Sequence, residues 1–360
     1  MKAVIMAGGE GRRLKSITGE RPKPMVPLLG RPMMEHILLL LFIYYYKNLL
    51  SIGDIEQLFR PVTEAHFNAE DGLNLSGIYA EDIMRYFGDG SALGVRLEYR
   101  VEREALGTAG GVKNCADFCG SDDFLVISGD AACSFDLLQL YRQHQSSGAA
   151  VTVALYPDAE PLQYGLVLQD RQGYVRHFIE KPDWPHVVTD LVNTGIYIVS
   201  PRAMTYVPED TPFDFANDLF PLLLAANEPI LGVPMDGYWC DIGTPRAYYR
   251  CCLDVLDGRL SPTPPEAPES PESPDAPAQC TDPLRRSVPC RDRAHRMRTL
   301  SEAMMEAGAD FTNGLHVHDG SWELTVRPDA ETSALQVEAN TPDAAAETAR
   351  LLELMEQHEQ

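Results

Sequence analysis

The 360-residue chain is poor in positive charge, with 30 Lys and Arg against 53 Asp and Glu and a formal net charge of -23. Such a balance repels nucleic-acid backbones and anionic membrane surfaces unless the basic residues are segregated, so neither is an expected partner. Long apolar runs are also missing. The longest, Ile37 to Tyr46, has ten residues and includes three tyrosines, whereas a membrane span needs about 20 apolar residues. The opening MKAVIMAGG has too short an apolar stretch and no cleavage pattern for a secretory leader. Eight Cys include no CxxC pair and no zinc-type spacing, which points to reduced thiols and a cytoplasmic location.

What is present suits a globular protein. Hydrophobic residues make up 44% and charged residues 23%, and the length is enough for two domains. Residues 261–280 form a Pro- and acid-rich linker; SPTPPEAPESPESPDAPA lacks any aromatic or branched apolar side chain and cannot build a core. It divides the chain into a body, 1–260, and a tail, 281–360. In the body, strand patterns at Lys2–Met6, Phe124–Ser128, Val151–Tyr156 and Gly195–Val199 alternate with helical patterns at Met33–Leu41, Glu81–Phe87, Asp136–Ser146 and Pro245–Leu256. The alternation predicts an α/β fold: a Rossmann-like, mostly parallel sheet with helices on both faces and ligands at the carboxyl ends of its strands. The tail reads as a small α+β domain. Its helices fall at Ala294–Glu306 and Asp343–His358, and its strands at Trp322–Val326 and Ala334–Val337.

The scarce basic residues are concentrated. Residues 1–31 hold seven Lys and Arg and two Glu, a net +5. They surround Gly8, Gly9 and Gly11 at the end of the first strand, where backbone amides can approach a polyphosphate. Two familiar glycine loops fail here. A dinucleotide fingerprint needs glycine where Leu14 stands, and the Gly-Lys-Ser/Thr of a Walker A loop is absent. Glycines beside Arg12, Arg13, Lys15, Arg21 and Lys23 favour a phosphate clamp.

The segment MAGGEGRRLKSITGERPKPMVPLLGRPMMEHIL resembles the signature of the sugar-1-phosphate nucleotidyltransferases, GGxGTRLxPLT followed by PKPM and a GxPMxEHIL helix. The resemblance implies catalytic roles for Arg13 and Lys23, with Arg12 standing where the family has Thr or Ser. Nucleotidyl transfer calls for a divalent cation, Mg²⁺, held by two carboxylates. Asp130 follows the strand Phe124–Ser128, and Asp241 lies in WCDIGTPRAYY, similar to the family's WxDIGTPxxY. VEREALGTAGGVK resembles the segment that lies against the base, implying nucleotide contacts from Glu102, Gly107, Thr108 and Gly110. YGLV, FIEKP and NTGIY match sugar-side elements, implying that Gly165, Glu180, Lys181, Asn193 and Thr194 bind the sugar phosphate.

The implied reaction joins an NTP to a sugar 1-phosphate. The LGTAG form resembles the mannose-1-phosphate guanylyltransferase branch, so GTP and mannose 1-phosphate giving GDP-mannose lead. Glucose 1-phosphate with UTP or dTTP is the alternative, as is a non-catalytic NDP-sugar-binding regulatory subunit. A homo-oligomer is expected.

Two departures stand out. Residues 42–79 are about twenty longer than the family's usual connection, with Leu73–Tyr79 the best match to its second strand. The tail resembles the carboxyl-terminal domain of the phosphoglucomutase and phosphomannomutase family, with Arg327–Ser333 in place of that family's RPSGTEP phosphate loop. No phosphoserine segment of the mutase type accompanies it.

Overall fold

Strands whose residues are apolar without alternation bury both faces, as a parallel sheet with covered faces requires. Ala3, Val4 and Ile5 are fully buried, and so are Leu125, Val126 and Ile127. The computed structural model describes residues 2–7, 12–15, 19, 21–41, 64–69, 76–93, 95–102, 104–260, 285–289, 292–304, 309–312, 314–319, 322–330, 332 and 334–339. The chain packs as two compact units, Met1–Ala154 with Thr194–Pro265, and Leu155–Asn193 with Glu266–Gln360.

In the first unit the strands Arg96–Val101, Glu64–Ala69, Lys2–Met6 and Phe124–Ser128 lie side by side and parallel. The strand Leu191–Val199, which crosses the boundary between the units, runs antiparallel to Phe124–Ser128. The α/β architecture with a mostly parallel sheet is therefore as the periodicity predicts. The helix over residues 33–41 buries Met33, Met34, Ile37, Leu38 and Leu41. The helix Leu137–Ser147 is capped by Asp136, whose carboxylate accepts the Leu138 and Gln139 amides at 3.0 Å, and it stops at the left-handed Gly148.

One expectation is corrected. Leu73–Tyr79 does not supply the second strand; the helix read at Glu81–Phe87 begins earlier, at Ser76. Among its described side chains, 81–87, Ile83 and Phe87, four apart, are the buried ones. The strand between Lys2–Met6 and Arg96–Val101 is Glu64–Ala69, in register Ala3 with Ala65 and Ala65 with Leu97.

In the second unit Gly165–Gln169 and Val175–Glu180 form an antiparallel hairpin, with Gly165 opposite Glu180. Its turn is organised by Asp170, whose Oδ1 accepts the Gln172 and Tyr174 amides. A four-stranded sheet runs in the order Arg285–Pro289, Ala334–Ala339, Trp322–Pro328, Leu315–Asp319, beside the helix Arg293–Met304. The expected tail helix Asp343–His358 lies outside the described residues.

Long-range contacts join the two chain segments of this unit. The Arg293 guanidinium lies 3.3 Å from the centre of the Trp184 ring. The His177 ring sits 5.3 Å from that of Phe311. Asp190, only 3% exposed, pairs with Arg298 at 3.2 Å and with His295 at 3.3 Å.

Candidate functional site

The carboxyl ends of the parallel strands gather the polar residues of the first unit. The strand Phe124–Ser128 leads through Gly129 to Asp130, and an added Cβ at Gly129 would lie 2.9 Å from the Met6 carbonyl. Only glycine allows that approach, in which the Gly129 amide donates to the Met6 oxygen at 2.8 Å. Asp241 arrives from a different part of the chain. The short antiparallel pair Ala131–Cys133 and Trp239–Asp241 sets Asp241 opposite Ala131, and the Ile242 amide donates to the Asp130 carbonyl at 3.2 Å.

Lys23 Nζ bonds Asp130 Oδ2 at 2.7 Å, and Ser128 Oγ donates to the other carboxylate oxygen at 2.6 Å. Burial works to raise the Asp130 carboxyl, but the Lys23 charge and these hydrogen bonds outweigh it and hold it below the usual range. For Lys23 burial pulls downward, and the pull of Asp130 together with Asp241 leaves the ammonium raised. Among the described residues no side chain is recorded bonding Asp241 in this way. Burial first, and the Asp130 charge second, push its carboxyl up to about 6, although Lys23, Arg13 and the Gly243 amide favour the ionised form. Its Oδ1 is buried with no hydrogen-bond partner.

These features fit a divalent cation. Two carboxylates, Asp130 in the turn after one strand and Asp241 at the end of another, one of them with an orphaned oxygen, already attract a cation in the form of Lys23 Nζ. Among the described residues no group of three or more His, Cys, Asp or Glu could hold a metal. A Mg²⁺ ion binds through one or two carboxylates when substrate phosphates complete its shell. Arg13 belongs to the same charge cluster, since its positive charge is felt at both Lys23 and Asp241. Gly8, Gly9 and Gly11 lie outside the described residues.

The LGTAG segment is gripped by a partner the sequence did not announce. The Ala109 and Gly110 amides both donate to the Phe213 carbonyl at 2.9 Å. A Cβ on Gly107, which has φ +70, would come within 2.7 Å of that oxygen, so its glycine serves the chain's own packing. Thr108 Oγ1 donates to Asp214 Oδ2 at 2.7 Å and accepts the Phe215 amide at 2.9 Å. Glu102, 2% exposed, accepts the Leu106 amide at 3.1 Å and braces the turn into the same segment.

In the second unit Gly165 and Glu180 are cross-strand partners, and Lys181 Nζ bonds Glu180 Oε1 at 2.7 Å. Asn193 follows Val192, which pairs with Leu166 on the same hairpin. Three of the residues read as sugar-side, Gly165, Glu180 and Asn193, are thus brought onto neighbouring strands, with Lys181 just past the end of one. Thr194 is placed differently: it is 3% exposed, and its hydroxyl donates to the Ala154 carbonyl at 2.7 Å within the first unit. In the Arg327–Ser333 segment, the loop's own Asp329 carboxylate accepts the Thr332 amide at 2.7 Å, and Arg293 donates to the Asp329 and Thr332 carbonyls.

Comparison with known proteins places the chain in a family. A UTP-glucose-1-phosphate uridylyltransferase of Synechocystis is 34% identical over 269 residues, covering 71% of this chain and 63% of that protein. A mannose-1-phosphate guanylyltransferase of Mycobacterium tuberculosis is 33% identical over 265 residues, covering 73% of this chain and 66% of that one. The chain thus spans slightly less than two thirds of the length of these curated relatives. The crystal structure of HddC from Yersinia pseudotuberculosis complexed with GMP-PN superimposes with a TM-score of 0.55 at 25% identity, over 71% of this chain and 99% of that one. Residues 2–258 match the family model described as nucleotidyl transferase, and the chain belongs to that family.

Proposed function

We propose that this chain is an enzyme that transfers a nucleotidyl group from a nucleoside triphosphate to a sugar 1-phosphate. A phosphate oxygen of the sugar 1-phosphate bonds to the α-phosphorus, the bond from that phosphorus to the bridging oxygen breaks, and pyrophosphate leaves. The observation that carries this reading is the cluster of Asp130, Lys23 and Asp241 at the strand ends, with Arg13 in the same field. Arg13 and Lys23 stabilise charge on the transferring phosphoryl group, and the amides of Gly8, Gly9 and Gly11 hold the phosphates. Asp130 and Asp241 hold a Mg²⁺ ion, which when bound neutralises phosphate charge. A sugar phosphate is anionic at neutral pH, so positioning rather than a general base is what the protein supplies.

Glu102, Gly107 and Thr108 shape the base site, Thr108 through its backbone, because its hydroxyl is held by Asp214. Glu180 and Asn193 take sugar hydroxyls beside the Gly165 backbone, and Lys181 takes the sugar phosphate. Thr194 is assigned to the sugar rim with them, its hydroxyl being held by the Ala154 carbonyl. The leading pair is GTP with mannose 1-phosphate, supported by the guanylyltransferase relative and by the LGTAG form. Glucose 1-phosphate with UTP is the second reading, favoured by the uridylyltransferase relative. Pyrophosphate release measured with each NTP and sugar 1-phosphate tests both. One pair should turn over, and Asp241→Ala should reduce that turnover by roughly a hundredfold or more. NDP-sugar binding without any turnover would make the chain a regulatory subunit instead.

A further inference from the structure

The turn that carries Asp130 has its backbone fixed. The Gly129 amide bonds the Met6 carbonyl, and a Cβ at Gly129 would lie 3.3 Å from Pro24 Cγ, so the proline next to Lys23 packs against the turn. What stays free is the Asp130 side chain, whose terminal torsion is broad and two-fold. A carboxylate that rotates about that bond can present either oxygen in either direction. Two groups restrain it: Lys23 Nζ, 2.7 Å from Oδ2, and Ser128 Oγ, 2.6 Å from Oδ1.

The two restraints are unequal. Lysine is a point charge on a flexible four-carbon stem, and in the reaction proposed above Lys23 also serves the transferring phosphoryl group. A Lys23 drawn toward phosphate gives up its hold on Oδ2. Ser128 has a single heavy-atom torsion and no role in that reaction. Because an ionised carboxylate only accepts, the serine hydroxyl must be the donor, and at 2.6 Å the bond lies in the charge-assisted range.

The fold leaves room for this serine. The register of Leu191–Val199 on Phe124–Ser128 sets Ile196 opposite Ile127, and hence Gly195 beside Ser128. A Cβ at Gly195 would lie 3.2 Å from Ser128 Cβ, and its φ of +75 is one that other residues rarely adopt. The glycine of NTGIY therefore borders the Asp130 turn. We propose that Ser128 is a positioning residue for Asp130: its hydroxyl holds Oδ1 and so keeps Oδ2 turned to the side of the site where Lys23 lies, whether or not Lys23 is engaged there. The proposal rests on the reading of Asp130 as a Mg²⁺ ligand in nucleotidyl transfer. Partners that orient a metal-binding carboxylate in this way are commonly worth roughly 10- to 100-fold in metal affinity.

Mn²⁺ binding to the full chain, followed by the relaxation rate of water protons, tests this without reference to turnover. Mn²⁺ is titrated alone and with α,β-methylene GTP or UTP. Ser128→Ala should weaken binding roughly 10- to 100-fold, and Ser128→Thr, which keeps the hydroxyl, should restore it. In pyrophosphate release, the Mg²⁺ concentration for half-maximal rate should rise by the same factor in Ser128→Ala, with the rate largely recovered at saturating Mg²⁺. A purely structural loss would instead lower the rate at every Mg²⁺ concentration. If circular dichroism shows that Ser128→Ala does not fold, Ser128→Cys takes its place, since a thiol is only a weak donor, and the same direction is expected. Wild-type Mn²⁺ affinity in the folded alanine or cysteine variant, or a folded Ser128→Thr that binds as weakly as Ser128→Ala, would overturn the proposal and leave the enzyme reading standing. A wild-type chain that binds no Mn²⁺ in either condition removes the cation reading, and this proposal with it.

Discussion

Asp241 is held at odds with its surroundings. Its ionised form is disfavoured by burial and by Asp130, so its carboxyl titrates near 6 rather than in the ordinary range. An acid raised in the fold binds its proton more tightly there than in the unfolded chain. The fold therefore loses stability as pH rises from about 4 to about 6, and the full penalty persists above that. In chelator, Asp241→Asn should be more stable than wild type by an amount that grows across this window, then levels at about 1–3 kcal/mol, a few degrees in Tm. Thermal scans at several pH values measure it, and Mg²⁺ should narrow the gap above pH 6. A variant that is more stable but inactive identifies a ligand; one that is simply less stable identifies a packing residue.

Lys23, Asp130 and Asp241 were legible because each sits in a contiguous motif whose chemistry is local. Asp214 was not. Its partner Thr108 lies 106 residues earlier, and nothing in either segment signals the other.

At the scale of elements, the LGTAG segment and the stretch Thr211–Phe215 act as one piece. Gly107→Ala should cost about 1–3 kcal/mol, from the left-handed backbone and the 2.7 Å clash with the Phe213 oxygen. Thr108→Val leaves the Phe215 amide without its acceptor and should cost about 1–3 kcal/mol, while Thr108→Ser restores most of it. Denaturant unfolding measures both. If the segment shapes the base site, KM for the NTP rises in both damaged variants more than kcat falls. The parallel strands were readable from unbroken apolar runs such as Phe124–Ser128. The strand Glu64–Ala69 was not, because EAHFNA contains no β-branched residue and little alternation. Its strand character comes from neighbours on both sides rather than from propensity.

At the scale of the molecule, composition located the linker but not the packing. Residues 155–193 belong to the matched family region in sequence, yet they pack with residues beyond the linker. Truncation after residue 260 should therefore not leave an intact first part. It strips Asp190 of Arg298 and His295, and His177 of Phe311. The truncated chain should have a Tm lower by several degrees and bind a hydrophobic dye, measured against the full chain. Equal stability would mean that these contacts contribute nothing. The excess of acid is also unevenly used: the tail is dense in it, while the +5 island lies where phosphates are proposed to bind.

The discontinuity of the second unit also sets an order of events during synthesis. Its first portion ends at Asn193, and the helix that pairs with Asp190 begins at Arg293, one hundred residues later. At about 5–20 residues per second, the hairpin and Asp190 leave the ribosome roughly 5–20 s before their partners. For that interval a little under a third of a folding unit must wait, its apolar surface within reach of chaperones, until the last quarter of the chain is made.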